Sequence, residues 1–250
     1  MKQATLREGE GIGGLEVRMS DPSTSSRRDF ILRSSAIGAS LSVPTVLLSE
    51  QKPDKEAEKV SPPEDLMREH GVLNRILLIY DEHIRLLDAK QDFDPAVLAS
   101  AAGIIRHFVE EYHEKLEEDY LFPRFRKARK HGDLVEILLS QHQAGRRVTA
   151  QIQQLAVASV QKDEPKKRQL ADSLRAFIRM YRPHEAREDT VLFPAFRGIV
   201  SEHEFDALGE EFEKKEDLLF GDEGFFKVIG QVAELEKKLG IFELAQFSPK

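Results

Sequence analysis

One segment of this 250-residue chain occurs twice, and the repetition sets the plan of the fold. The first copy begins at His113, and the second begins 71 residues later at His184. Each copy reads His-Glu-x-x-Glu-(Glu/Asp)-x-x-Leu-Phe-Pro-x-Phe, so a Glu follows the His by four positions. An earlier His precedes each copy at a matching distance, His70 by 43 residues and His142 by 42. The chain therefore contains two similar halves, each contributing a His and then His-x-x-x-Glu.

The chain beyond residue 60 has the pattern of helices and not of strands. Apolar residues recur at helical spacing, and no long stretch alternates between apolar and polar with period two. Two helix starts are marked by a capping residue before a proline, at Ser61-Pro62 and Asp94-Pro95. We therefore predict an all-α protein with helices over about residues 62–87, 94–122, 134–157, 167–193, 201–219 and 225–239.

The repeat places candidate metal ligands on the inward faces of these helices. A His and a Glu at positions i and i+4 lie about 40° apart around a helix and one turn apart along it, so both reach one point. His70 and His142 each fall within an apolar stripe and so face the core. Burying several such groups is costly without compensation, which a pair of metal ions supplies. The predicted metal ligands are His70, His113, Glu117, His142, His184 and Glu188.

Composition narrows the chemistry of such a site. The chain has eight His and no Cys, which excludes disulfides, thiolate metal sites and Cys-held iron–sulfur clusters. A set of imidazoles and carboxylates with open positions suits iron or manganese, with zinc as an alternative. The charged fraction of 32% rules out a polytopic membrane protein, and the net charge of -7 argues against a nucleic-acid binder with a basic face.

Over about residues 62–200, this pattern resembles the hemerythrin-like, His-His-Glu cation-binding domain. The resemblance implies an antiparallel, up-down-up-down four-helix bundle, here followed by C-terminal helices. It also implies a non-haem di-iron centre, bridged by oxo or hydroxo. Transferred to this sequence, it assigns one iron to His70 and His113, the other to His142 and His184, and the bridging positions to Glu117 and Glu188.

One position departs from the oxygen-carrying members of that family. They have a second His one turn after the third-helix ligand, where this chain has Arg146. The symmetric set of four His and two Glu more closely resembles the branch that includes the repair-of-iron-centres proteins, which are associated with nitrosative and oxidative stress. The chain lacks the Cys-bearing N-terminal segment of those proteins.

Residues 1–50 are interpreted as an export signal. The run Ser26 to Leu32, with Arg27-Arg28 at its centre, precedes a mildly apolar stretch and resembles a twin-arginine signal. This implies the twin-arginine export machinery as a partner and a periplasmic or other extracytoplasmic location. The stretch is too polar for a stable membrane span after export. Translation from Met1 or from Met19 is left open. The predicted domains are residues 1–50 (signal), 51–61 (linker), 62–200 (bundle) and 201–250 (C-terminal helical extension).

Other polar and aromatic residues are assigned roles around this site. Tyr120 lies two helical turns after His113, so we predict that it faces the metal side and hydrogen-bonds a ligand or an iron-bound species. The alternative is a core tyrosine whose hydroxyl binds a neighbour. Glu114 and Glu185 are predicted to be solvated or paired along the helix. The four remaining His are predicted to lie at the surface or the edge of the core: His83, His107, His131 and His203. The aromatic residues after residue 201 are predicted to pack the C-terminal extension on the bundle or to form a homodimer surface: Phe205, Phe212, Phe220, Phe225, Phe226, Phe242 and Phe247.

Three classes of function fit the predicted site. The first is binding or sensing of a small ligand, namely oxygen, nitric oxide or peroxide. The second is a di-iron redox enzyme in oxidative or nitrosative stress defence. The third is an iron store or donor. A metal-free helical bundle is the alternative to all three.

Overall fold

The computed structural model describes residues 60–249, which contain six helices and no strand. This confirms the predicted all-α fold class. The predicted twin-arginine segment and most of the predicted linker lie outside the described residues. The helices are α1 (Pro62–Asp88), α2 (residues 95–128), α3 (Gly132–Leu155), α4 (residues 164–196), α5 (Glu202–Phe220) and α6 (Gly224–Leu239), with 3-10 turns at Ala158–Lys162 and Leu244–Phe247.

Capping side chains begin four of these helices. Ser61, Asp94, Asp163 and Ser201 each accept a hydrogen bond from a backbone N–H in the first turn of the helix that follows. Such bonds satisfy N–H groups that have no partner within the helix. Short connections at residues 89–94, 129–131 and 156–163 then join the first four helices into a bundle.

Helices α2 and α4 contain π-helical turns at equivalent positions of the repeat. In α2 the segments are α (Pro95–Ile104), π (Ile105–His113), α (Glu114–Leu116), π (Glu117–Leu121) and α (Phe122–Ala128). In α4 they are α (Glu164–Arg187), π (Glu188–Leu192) and α (Phe193–Phe196). In both copies the repeated Glu opens the π turn, and a π turn inside an α-helix frequently marks a functional site.

The π turns correct the predicted helix ends. We expected the second helix to end near Phe122 and the fourth near Phe193. Instead, Pro123 and Pro194 fall in the first turn of a new α segment. Proline is tolerated in the first turn of an α segment. The helices therefore continue to Ala128 and Phe196.

Helices α5 and α6 pack on the outside of the bundle through aromatic side chains. Phe205 lies 6.2 Å from Phe196, measured between ring centroids, and Phe225 lies 6.3 Å from Phe108. Phe212 is fully buried. Packing of the extension on the bundle was one of the two predicted roles for these residues. By contrast, Phe242 and Phe247 remain exposed. None of the helices within residues 60–249 has the length and apolar character needed to cross a membrane.

The close approach of α3 and α4 depends on a glycine. A Cβ atom built on Gly145 would lie 2.0 Å from the hydroxyl oxygen of Tyr181 and 2.8 Å from its Cζ. Tyr181 cannot step aside, because its ring packs on Phe177 at 4.3 Å and its hydroxyl donates to Glu114 at 2.7 Å.

We expect Gly145→Ala to destabilise the protein by about 1–3 kcal/mol, the usual cost of overpacking a core. Gly230→Ala is the matched control, because it lies on the exposed side of α6 with no atom within 4 Å of the added Cβ. That variant should gain up to about 1 kcal/mol from helix propensity. Thermal unfolding of both variants measures the difference, and equal stability of the two would contradict the proposed contact.

Candidate metal centre

The structure brings the six predicted ligands together in the core of the bundle, where all are buried. Their imidazoles form two pairs. The Nε2 atoms of His70 and His113 lie 3.1 Å apart, and those of His142 and His184 lie 3.2 Å apart. Each pair therefore joins the earlier His and the repeat His of one half of the chain.

Each of the two buried glutamates spans both imidazole pairs. Glu117 places Oε1 3.8 Å from Nε2 of His113 and Oε2 3.4 Å from Nε2 of His142. Glu188 places Oε2 3.4 Å from Nε2 of His70 and Oε1 3.2 Å from Nε2 of His184. One oxygen of each carboxylate thus faces each pair, so each carboxylate lies between the two pairs.

This donor set fits a pair of cations. Within the described part of the chain, none of the four carboxylate oxygens of Glu117 and Glu188 accepts a hydrogen bond, although all are buried. Buried polar atoms normally have such a partner. The donor atoms also cluster at metal-binding separations. Those of Glu117, His142, His184 and Glu188 lie within 4.8 Å of one another, as do those of His70, His113 and Glu117. The cluster therefore fits metal binding.

The pKa values of the His70 and His113 pair are shifted in opposite directions. Burial opposes protonation of His70, but a hydrogen bond to Asp189 and the nearby charges of Glu188 and Glu117 raise its pKa to about 10. Burial and the charge on His70 lower the pKa of His113 to about 3. A protonated His70 therefore donates its Nε2–H to His113 at neutral pH. Metal binding at this pair must displace that proton.

Every imidazole is also held through its other nitrogen. The Nδ1–H of each of the four proposed His ligands donates to an oxygen on another helix, and this contact orients Nε2 toward the centre of the cluster. The sequence reasoning missed these partners. The four contacts are His70 to Asp189 (2.8 Å), His113 to Glu69 (2.9 Å), His142 to Glu118 (3.1 Å) and His184 to Gln141 (2.9 Å).

These outer contacts follow the repeat. The acid directly after each bridging Glu, Glu118 or Asp189, holds the earlier His of the opposite half. The residue directly before each earlier His, Glu69 or Gln141, holds the repeat His of its own half. The repeated Glu-(Glu/Asp) pair was therefore a usable signal for the first two partners.

The repeated Leu-Phe-Pro also has a structural role at the site. Phe122 stacks on His142 at 5.5 Å between centroids, with 25° between the planes. Phe193 stacks on His70 at 5.5 Å, with 20° between the planes. Each repeated Phe thus covers an imidazole of the opposite half and excludes water from its face.

Comparison with known proteins identifies the family. The model of the hemerythrin HHE cation-binding domain matches residues 61–195 and, in a second alignment, residues 133–219. The chain belongs to the hemerythrin HHE cation-binding domain family. It is 48% identical over 201 residues to uncharacterized proteins of Mycobacterium tuberculosis (strains CDC 1551 and H37Rv) and Mycobacterium bovis, with 79% of each chain covered. No solved structure matches the chain significantly.

In this hemerythrin-like bundle, Arg146 supports the outer contacts of the site. Its guanidinium lies 2.7 Å from Glu118 and 2.7 Å from Glu114. Burial opposes ionisation of Glu118, but hydrogen bonds from His142, Arg146 and Lys115 hold its pKa down to about 2. Glu118 is therefore ionised, and it accepts the Nδ1–H of His142.

Two predicted solvent-exposed glutamates are buried instead. Glu114 accepts a hydrogen bond from the hydroxyl of Tyr181 at 2.7 Å, and Glu185 accepts one from Nδ2 of Asn74 at 3.0 Å. Burial raises the pKa of Glu185 to about 7. The prediction that both are solvated or paired along their own helix was wrong, because neighbouring helices cover more than the ligand-bearing face of α2 and α4.

Tyr120 does not reach the cluster. Its hydroxyl donates to Glu211 of α5 at 3.3 Å, and its ring packs on Phe212 at 5.6 Å. This matches the alternative of a tyrosine whose hydroxyl binds a neighbour. The tyrosine beside the ligands is Tyr181, whose ring lies 5.5 Å from that of His184. Its position three residues before His184 was the available signal.

The four other His residues lie away from the cluster, but one of them is fully buried. His107, His131 and His203 are exposed, in agreement with the prediction. His83 lies in the core, where its Nδ1–H donates to the carbonyl of Ile79 at 2.8 Å and its ring meets the edge of Phe93. The expectation of a surface or core-edge position was wrong for His83. Burial lowers its pKa.

We expect Glu117→Ala and Glu188→Ala to lose metal, because each removes a carboxylate that faces both imidazole pairs. Loss of an outer partner alone typically weakens metal binding 10- to 100-fold, so loss of a bridging ligand should cost at least about that much. Glu111→Ala is the control, since Glu111 lies exposed on the outer face of α2. Elemental analysis of the purified variants measures occupancy, and wild-type occupancy in either bridging variant would refute the assignment.

The buried carboxylate of Glu110 makes the free energy of unfolding depend on pH. Glu110 lies one turn before Glu114, next to Thr149 and ion-paired with Arg106. Burial raises its pKa to about 7, against the opposing effects of Thr149 and Arg106. The folded chain therefore binds a proton here that the unfolded chain releases near its ordinary pKa of 4.5. Ionisation of Glu110 then lowers stability as the pH rises from about 4.5 to about 7.

Glu110→Gln should remove this penalty. We expect the variant to gain stability relative to the wild type as the pH rises toward 7, with a constant difference above that. At pH values below the ordinary pKa of Glu, the difference in unfolding free energy between the variant and the wild type should no longer change with pH. Chemical denaturation of metal-free protein across this pH range measures it, with the exposed Glu243→Gln as control. Parallel wild-type and variant curves would contradict a raised pKa.

Proposed function

We propose that this hemerythrin-like protein holds two iron ions and binds a small ligand, namely oxygen, nitric oxide or peroxide, as a binding or sensing module. The observation that carries the proposal is the count of donors in the cluster. Two imidazole nitrogens and one oxygen from each of Glu117 and Glu188 converge on each position. Four protein donors leave open coordination positions on an iron ion.

The residues around the cluster suit a resident cofactor. When bound, the iron pair supplies positions for a small ligand and a change of oxidation state. The chain holds the imidazoles in place through their Nδ1–H contacts, and Phe122 and Phe193 cover two imidazole faces. All six proposed ligands are at most 4% exposed. This closed environment favours a fixed centre over a store that must take up and release iron.

A redox enzyme is the second candidate. The stress-related branch that this symmetric ligand set resembles supports it. Turnover would require an electron supply, and the sequence contains no flavin, haem or nucleotide motif. A separate reductant would therefore have to act on the buried centre.

Export by the twin-arginine route is part of the proposal. Support comes from Arg27-Arg28 ahead of a mildly apolar run and from the absence of cysteine. That route carries proteins already folded around their cofactor, which fits a site assembled from four helices. Fractionation of cells that express the full chain tests it, with Arg27→Lys/Arg28→Lys as the variant. Cytoplasmic retention of the wild type would refute export.

Metal analysis and Mössbauer spectroscopy of native protein test the main proposal. We expect two iron ions per chain and a new charge-transfer band when oxygen, nitric oxide or peroxide is added. Absence of metal, or of any spectral response, would refute the binding role. Sustained consumption of peroxide or nitric oxide with added reductant would favour the enzyme, and release of iron under physiological conditions would favour the store.

A further inference from the structure

The hydrogen bonds from the Nδ1–H groups of the four imidazoles are equivalent in the two halves of the chain, but at one position the accepting residue differs in charge. His113 donates to the carboxylate of Glu69, whereas its counterpart His184 donates to the amide oxygen of Gln141. Both contacts are 2.9 Å long and come from the residue just before the earlier His. The geometry is thus the same, but one imidazole faces an acid and the other a neutral group.

Carboxylates lie close to the His70 and His113 pair. The carboxylate of Asp189 accepts from His70 at 2.8 Å, and no Lys or Arg within residues 60–249 pairs with Asp189. Glu69 lies in a buried group with Asp65 and Glu216, whose oxygens are within 4.8 Å of one another. Both imidazoles of this pair therefore donate to carboxylates.

Cations lie beside the carboxylates that surround the His142 and His184 pair. Glu118 accepts from His142, but it also lies 2.7 Å from Arg146 and 3.0 Å from Nζ of Lys115. Arg146 also pairs with the buried Glu114, and Lys115 also pairs with Asp119, so these two cations offset the charge of Glu118 only in part. Gln141, which accepts from His184, carries none.

We infer that the two halves of the centre are electronically unequal, and that Glu69 and Gln141 are the positioning residues that make them so. The ion of higher charge is held by His70 and His113. This inference rests on the proposed function, because it concerns the iron pair. An imidazole that donates to a carboxylate is a more basic ligand than one that donates to an amide. A more basic ligand and a nearby negative charge both favour the ferric over the ferrous ion.

The inference predicts that one iron is oxidised before the other. In the reduced protein the His70 and His113 ion should lose its electron at the lower of two potentials, and the His142 and His184 ion at the higher. The mixed-valence form, with one ferric and one ferrous ion, is then stable between those potentials. The separation of the potentials measures the inequality.

Exchanging the two outer residues tests this. Glu69→Gln should raise the lower potential, and Gln141→Glu should lower the higher one. Each change should decrease the equilibrium constant for forming the mixed-valence state by about tenfold or more, which is about 59 mV for one electron. The double variant Glu69→Gln/Gln141→Glu should restore a separation with the order of the two ions reversed, because it moves the carboxylate to the other half. The exposed Gln143→Glu adds a charge to the same helix and should change neither potential appreciably.

The experiment is an anaerobic redox titration of iron-loaded protein, followed by absorption and Mössbauer spectra, with iron content measured for every variant. An unchanged separation in both single variants would overturn the inference. So would a double variant no better than either single variant, since that result indicates purely structural roles. Failure of the wild type to bind iron would instead overturn the proposed function. A wild type that binds two irons and a small ligand, but responds to none of these exchanges, would overturn the inference alone.

Discussion

The burial of two carboxylates between two imidazole pairs is the constraint on which the rest of this structure depends. Glu117 and Glu188 are fully buried and have no hydrogen-bond donor among the described residues. Burying carboxylates is costly, and burial together with the nearby charge of Glu188 raises the pKa of Glu117 to about 8. Bound metal would offset this cost, so the buried carboxylates fit a metal site in the core of the bundle. The outer hydrogen bonds, the stacked Phe rings and the π turns all act at that site.

Helix packing and hydrogen bonding make different contributions to the site. Capped helices and an apolar core give four packed helices, which bring one His or one His-Glu pair from each helix to a common region. Packing alone does not aim the imidazoles, because a ring can rotate within its cavity. The Nδ1–H contacts fix that rotation, and they place a charge or a neutral group behind each ligand. Orientation and electronic tuning therefore come from the same hydrogen bonds.

The sequence predicted the grouping of the six side chains because a repeat at fixed spacing carries that information directly. It failed where the helix departs from regular geometry. Tyr120 was placed on the metal side by counting two α-helical turns from His113, but Glu117–Leu121 forms a π turn that rotates the following residues. The helix ends predicted near Phe122 and Phe193 were also wrong, because a further α segment follows the π turn in both copies. His83 was misjudged because its burial depends on Phe93, which arrives from another segment. The Nδ1–H partners likewise depend on contacts between helices, which spacing along one helix does not reveal.

The contacts of the two halves have a consequence for how such a site arises. Each half supplies both imidazoles of one pair, yet Asp189 and Phe193, which hold and cover His70, come from the other half. Glu118 and Phe122 act reciprocally on His142. A single helical hairpin therefore carries an incomplete site, whereas two identical hairpins related by a two-fold axis would complete two equal ones. Joining the hairpins in one chain allows the halves to diverge. Glu69 and Gln141 are a divergence that a symmetric dimer of one hairpin sequence is unable to encode.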